Sequence, residues 1–234
     1  MVEIKLDKKP KNPIIIEGFP GIGFIASITT EFLIEHLKAE KIGKIEFSEQ
    51  TPVVAIHNSK IVEPFGIFYS KKYNIVILHA INPVNNIEWK ITDAIEQLVK
   101  TMGAREIISI EGVASASNEI NANAYYFSKK FNKKFDKLNI QPLKEGIIMG
   151  VTASIILRDT LPSSCIFVET HSQLPDSRAA AKVIETLDKY LNLGVDFKPL
   201  LQKAKEFEEK LKTLMQQSKM SSEEKEQKDL NYLG

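Results

Sequence analysis

The sequence predicts an α/β fold, a three-layer sandwich with a mostly parallel central sheet and further helices toward the C-terminus. Two observations carry that reading. Four short apolar runs, Ile14–Ile16, Tyr73–Ala80, Glu106–Glu111 and Ser164–Thr170, lack the alternation of a half-exposed strand and read as strands covered on both faces. Segments with apolar residues at three- and four-residue spacing stand among them, as helices packed on a sheet do. A chain of 234 residues, 43% hydrophobic, is long enough to bury one substantial core. Residues 1–217 therefore read as a single domain with its C-terminal helices, and 218–234 as a polar, disordered tail.

The first buried run leads at once into a glycine-rich turn, Gly18-Phe19-Pro20-Gly21-Ile22-Gly23, and then into a helix with Ile25, Ile28, Phe32, Leu33 and Leu37 on its apolar face. Lys44–Ser48 and Val53–Asn58 read as short strands separated by Thr51-Pro52. Ile61-Val62 and Ile67–Tyr69 continue the β character, as a meander at one side of the sheet. After Tyr73–Ala80, a helix with Ile87, Ile91, Ile95, Leu98 and Met102 on one face ends at the cap Gly103. Gly112–Asn123 is small, polar and without period, hence a loop. Ala124–Leu138 fits strand and helix equally. Ile147–Val151 reads as a short strand and Thr152–Arg158 as a brief helix. Pro175-Asp176-Ser177 starts a helix carrying Ala180, Val183, Ile184, Leu187 and Leu191, with Asp176 or Ser177 as N-cap. A last helix from about Phe197 sets Leu200, Ala204, Phe207, Leu211 and Leu214 in a heptad seam.

Composition narrows the function. Thirty-one basic against thirty acidic residues leave a net charge of +1, which disfavours a polyanion surface and so nucleic acid. Cys165 is the single cysteine and lies inside the apolar run Cys165-Ile166-Phe167-Val168, a buried, inert thiol suited to a reducing compartment. Residues 1–12 are lysine-rich without an apolar signal core, and no stretch approaches a membrane span, so the expectation is a cytoplasmic protein that does not engage a membrane.

Chemistry-bearing patterns are sparse. A glycine turn before a helix resembles a phosphate cradle, yet this one matches neither G-x-G-x-x-G nor a P-loop, and Pro20 removes a donor; tight strand-to-helix packing is the reading. Glu17, Glu111 and Glu169 each stand at the end of a buried strand, so three carboxylates could converge at one sheet edge for acid/base work or metal binding. His79 and His171, also at strand ends, are candidates to join them, while His36 and His57 follow no pattern. No histidine has ligand-like spacing beside the carboxylates, and no G-x-S-x-G elbow exists, so the expectation is a protein that is not an enzyme and holds no metal or cofactor.

Taken as an ordered set, Gly18–Gly23 after a strand, the Gly146–Leu157 segment, and Pro175-Asp176-Ser177-Arg178-Ala179-Ala180 followed by Asp196–Glu208 resemble the proteasome assembly chaperone family in its archaeal form. The likeness extends to about residue 215. It implies an α/β fold similar to purine nucleoside phosphorylases, a homo-oligomer, no catalysis, and docking on proteasome α subunits through a C-terminal hydrophobic-tyrosine-any tripeptide. This chain ends Leu230-Asn231-Tyr232-Leu233-Gly234, with the tyrosine one place further from the terminus than the family motif has it. Leu230, Tyr232, Leu233 and Gly234 are the expected partner-binding residues. The rival reading is a nucleoside phosphorylase-like or nucleotide-binding α/β protein.

Overall fold

The computed structural model describes residues 2–49, 53–57, 59–82, 84, 86–114, 123–170, 174–195, 201–202, 206 and 209–214. In chain order the elements are β1 (Val2–Leu6), β2 (Ile14–Gly18), a 3₁₀ turn (Ile22–Phe24), α1 (Ile25–His36), β3 (Glu40–Phe47), β4 (Ala55–His57), β5 (Lys60–Val62), β6 (Phe65–Ser70) and β7 (Ile75–Ala80). There follow α2 (Glu88–Met102), β8 (Glu106–Ala114), β9 (Ala124–Ser128), α3 (Asn132–Asp136), β10 (Gln141–Pro142), α4 (Gly150–Leu157), β11 (Ser163–Thr170) and α5 (Ser177–Leu191). Residues 209–214 are also helical.

Nine strands form one sheet in the order β1-β3-β6-β7-β2-β8-β11-β9-β10, and β4 pairs with β5 as a separate hairpin. The centre is parallel: β7, β2, β8 and β11 run together. Both flanks are not. β1, β3, β6 and β7 pair antiparallel, with Ile67–Tyr69 in β6 as expected but Ile61-Val62 in the separate β4–β5 hairpin, and β11 pairs antiparallel with β9. The sheet is therefore mixed, which corrects the expectation of a mostly parallel one. The cause lies in connection length: β6 reaches β7 through a short turn, and a short turn can only reverse direction, whereas a parallel neighbour needs a crossover.

Two cores result, one on each face. Ile16, Ile108, Ile110, Ile166 and Val168 meet α1 and α5; on the other face Ile15, Val76, Leu78 and Ile107 meet α2 and α4. The period of two along each strand sends neighbouring residues to opposite layers, which is why these strands read as unbroken apolar runs. In the first core Phe135 is wholly buried and stacked between Tyr126 and Tyr190, with ring centroids at 4.5 and 4.3 Å. The ambiguous stretch 124–138 thus divides into strand β9 and short helix α3, the latter delivering Phe135 to the core.

Helix ends follow the sequence signals. Asp176 caps α5, its Oδ1 accepting from the backbone N–H groups of Arg178 (3.1 Å) and Ala179 (2.9 Å), and Gly103 closes α2. Leu211 is buried in its own domain's core beside Leu193 and Val195. Of the seam, Leu214 is 37% exposed, and Leu200, Ala204 and Phe207 lie outside the described residues. Ile147–Val151 is not a strand: 147–149 is irregular and α4 begins at Gly150. Apolar character alone does not make a strand, and 147–149 pairs with no strand of the sheet. Ile147 instead stands 91% exposed.

Phe135→Ala should cost roughly 3–5 kcal/mol, because it empties the stack between two tyrosines. Phe127→Ala, at a position 38% exposed on β9, should cost about 1 kcal/mol or less. Urea denaturation of both variants measures the difference.

Candidate functional site

β2 and β8 are neighbours in parallel register, Glu17 standing opposite Ser109. Glu17, Ser109 and Glu111 share the strand parity of Ile15 and Ile107, so all three face the α2–α4 layer. Thr152, in the first turn of α4, descends onto them. Ser109 Oγ donates to Glu17 Oε2 and lies 2.8 Å from Thr152 Oγ1, which lies 3.2 Å from Glu111 Oε2. The backbone N–H of Phe19 donates to Glu17 Oε1 at 2.8 Å. Those of Gly112 and Ile22 donate to Glu111 Oε1 at 3.1 and 3.3 Å. One chain of hydrogen bonds thus runs from carboxyl to carboxyl through two hydroxyls, beside a cavity of about 300 Å³.

Burial governs the charge of this pair. Glu17 is taken out of water and pushed up to about 7, against the pull of Ser109 and the Phe19 N–H. Glu111 is pushed up to about 8, first by burial and then by the neighbouring Glu17. Protons are therefore retained on the pair near neutrality, and they titrate jointly. Cys165, behind the pair on β11 and opposite Ser109, is buried, and burial followed by the two glutamates drives its thiol upward, which keeps it protonated and inert as read.

The glycine turn has a packing role here. A Cβ on Gly21 would stand 2.1 Å from Glu111 Oε1, so only glycine lets the turn close over that carboxyl. Gly23 has φ +69°, and its carbonyl accepts from the Asp176 N–H at 2.9 Å, tying the turn to the cap of α5. The N–H of Ile22, which a phosphate would require, is already engaged by a carboxyl, and Pro20 has none.

Of the three strand-end carboxylates, the structure unites Glu17 and Glu111 only. Glu169 accepts instead from the Asn123 amide (2.9 Å) and the Tyr125 hydroxyl (3.0 Å). His79 belongs to the opposite layer, with Nδ1 2.9 Å from Thr30 Oγ1 and Nε2 3.3 Å from Glu31; burial, opposed by Glu31, lowers its pKa. His36 stacks on Phe32. Among the described residues no group of three or more His, Cys, Asp or Glu could hold a metal ion. His171 and the expected partner-binding residues Leu230, Tyr232, Leu233 and Gly234 lie outside the described residues. Sequence reasoning missed Ser109 and Thr152. Ser109 carries a signal, a polar residue in the middle of a run otherwise buried on both faces; Thr152 carries none, since only tertiary packing sets α4 over the strand ends.

The fold is a three-layer α/β domain, and its site an acid-lined cavity at strand carboxyl ends. Residues 15–215 match the model of the PAC2 family, and the chain belongs to that family. It is 29% identical to Pyrococcus furiosus PbaA, described as an archaeal homolog of proteasome-assembly chaperone, with a TM-score of 0.80 and 97% of each chain covered. Pyrococcus furiosus PbaB, described as an archaeal proteasome activator, shares the fold at 22% identity and a TM-score of 0.74, over 92% of this chain and 98% of that one. An uncharacterized protein of Methanocaldococcus jannaschii is 26% identical over 215 residues, 88% of this chain and 87% of its own. The resemblance to the proteasome assembly chaperone family is thereby borne out. Among the described residues no helix is long and apolar enough to cross a membrane.

Gly23→Ala should destabilise the protein by about 1–2 kcal/mol, the cost of forcing a side chain into the left-handed region, as read by thermal denaturation. The carboxyl pair gives a pH signature. Its folded pKa values lie above the unfolded one, so its contribution to stability is complete below about 4.5 and is lost as pH rises through about 7 to 8. A Glu17→Gln/Glu111→Gln double variant should remove that decline, so wild type minus variant stability falls between about pH 5 and 9 in urea titrations.

Proposed function

We propose that this protein is a non-enzymatic proteasome assembly chaperone or proteasome-binding factor that docks on proteasome α subunits through its C-terminal tail. The observation that carries the proposal is the likeness to Pyrococcus furiosus PbaA along 97% of both chains, at an identity above that of a fold-only match. The tail, residues 218–234, supplies the chemistry. Its lysines, glutamates, serines and glutamines bury too little apolar surface to fold on their own, which suits a tether. At its end Tyr232 offers a flat apolar ring with a hydroxyl, Leu230 and Leu233 flank it, and the Gly234 carboxylate can pair with a lysine between two subunits. The tail stands in for the family tripeptide with its tyrosine displaced by one place.

Self-association belongs to the same proposal. Ile56 and Ile61 on the β4–β5 hairpin are 72% and 68% exposed, and a two-stranded hairpin with bare apolar side chains gains by meeting another surface. Several tails on one oligomer would add avidity to a weak single contact. A nucleotide-binding role finds less support, because the one glycine turn at strand ends is closed by Glu111.

Deleting residues 232–234 should abolish capture of recombinant proteasome α subunits in a pull-down while circular dichroism stays unchanged; undiminished capture would place binding on the folded surface. Light scattering at micromolar concentration should return a multiple of the 26.4 kDa monomer mass. A monomer would refute self-association.

A further inference from the structure

We propose that the cavity beside Glu17 and Glu111 is a binding site for a small organic cation, an alkylguanidinium or alkylammonium group on an apolar stem. The first observation is topological. Successive crossovers leave the parallel strands toward opposite faces: β2 continues into α1 in one layer, and β7 continues into α2 in the other. The carboxyl ends of adjacent strands with diverging crossovers leave a crevice, and ligands of open α/β sheets settle in it. The cavity occupies that place, lined by residues after β2 (Phe19 to Ile22), after β7 (Val84, Glu88) and at the end of β8 (Glu111, Gly112). Its volume of about 300 Å³ lies at the low end of the range for small-molecule sites.

The second observation is charge. Glu17, Glu88 and Glu111 line the cavity, and among its described lining residues none is lysine, arginine or histidine. Thr152 of α4, also in the lining, brings no charge. No described lining residue neutralises Glu17 and Glu111, and burial leaves protons on that pair. A cation with N–H donors replaces one proton: the guanidinium enters, one carboxyl of the pair ionises, and its proton leaves to solvent. Each charge-assisted N–H···O bond then forms in a wall shielded from water. The third observation is the mouth. Ile147 and Met149 stand 91% and 70% exposed on the irregular segment before α4, apolar side chains available to a hydrocarbon stem. Its described lining residues all lie between Glu17 and Thr152 in the chain, and the proposal stands or falls independently of α-subunit docking.

The test is calorimetric titration of the full chain with n-butylguanidinium, and with tetramethylammonium as a cation lacking N–H donors. n-Butylguanidinium should bind with proton release and with an affinity that rises by up to about tenfold per pH unit between about pH 6 and 8. Tetramethylammonium should bind at least tenfold more weakly. Glu111→Gln should weaken n-butylguanidinium about tenfold. Independently of any variant, amide NMR of the wild-type protein should show the largest n-butylguanidinium-induced changes at Ile22, Gly112 and Thr152. A capped arginine amide separates the sources: equal affinity points to an arginine on a peptide, weaker affinity to a free small cation. No binding at tens of millimolar, equal binding of tetramethylammonium, or amide changes confined to other surfaces would overturn the proposal.

Discussion

Glu111 is the group on which the arrangement of this molecule turns. Its one carboxyl accepts from the turn after β2, from its own strand end and from the first turn of α4. Three segments distant in sequence thereby share a single acceptor. A carboxyl so placed costs desolvation energy, and that cost is offset in two ways, by hydrogen bonds and by retention of its proton near neutrality. Gly21 follows as a requirement, because any side chain there would occupy the space of the carboxyl oxygen.

The same device occupies the glycine turn with a carboxyl of the protein itself. Helix N-termini attract anions because their N–H groups are free. Here the protein provides its own acceptor, fixed to the adjacent strand, and the turn becomes a structural lock between β2, β8 and α5. The lock extends outward through the Gly23 carbonyl to Asp176, whose side chain caps α5 and also accepts from Thr170 at 2.7 Å. Cap, turn and carboxyl pair form one connected set at the carboxyl end of the sheet.

In the reading advanced above, function divides between two parts of the chain with opposite physical character. The folded body carries an acid-lined cavity with no lysine, arginine or histidine among its described lining residues. The tail is polar and carries apolar residues only at its extremity, the composition of a tether with a terminal grip. Family membership places the whole molecule among PAC2 proteins, and within that frame the body serves as a platform while the terminus makes the specific contact in the reading advanced above.

The sequence by itself determined the central strands, α1, α2 and α5, the cap Gly103, a start of α5 capped by Asp176 or Ser177, and the burial of Cys165. These follow from local pattern: β-branched runs covered on both faces, apolar spacing of three and four, and side chains that satisfy nearby N–H groups. The ordered motifs also fixed the family. Tertiary structure alone decided that the sheet is mixed, since strand direction depends on which neighbour a strand meets. It split 124–138 between strand and helix, because Phe135 needed a place between two tyrosines. It left Ile147 outside the sheet, in the irregular segment before α4. It also chose Glu17 and Glu111 out of three similar strand-end glutamates: register on adjacent strands set their separation, and α4 supplied Thr152 to join them, a contact between residues 41 apart in the chain that no local pattern encodes.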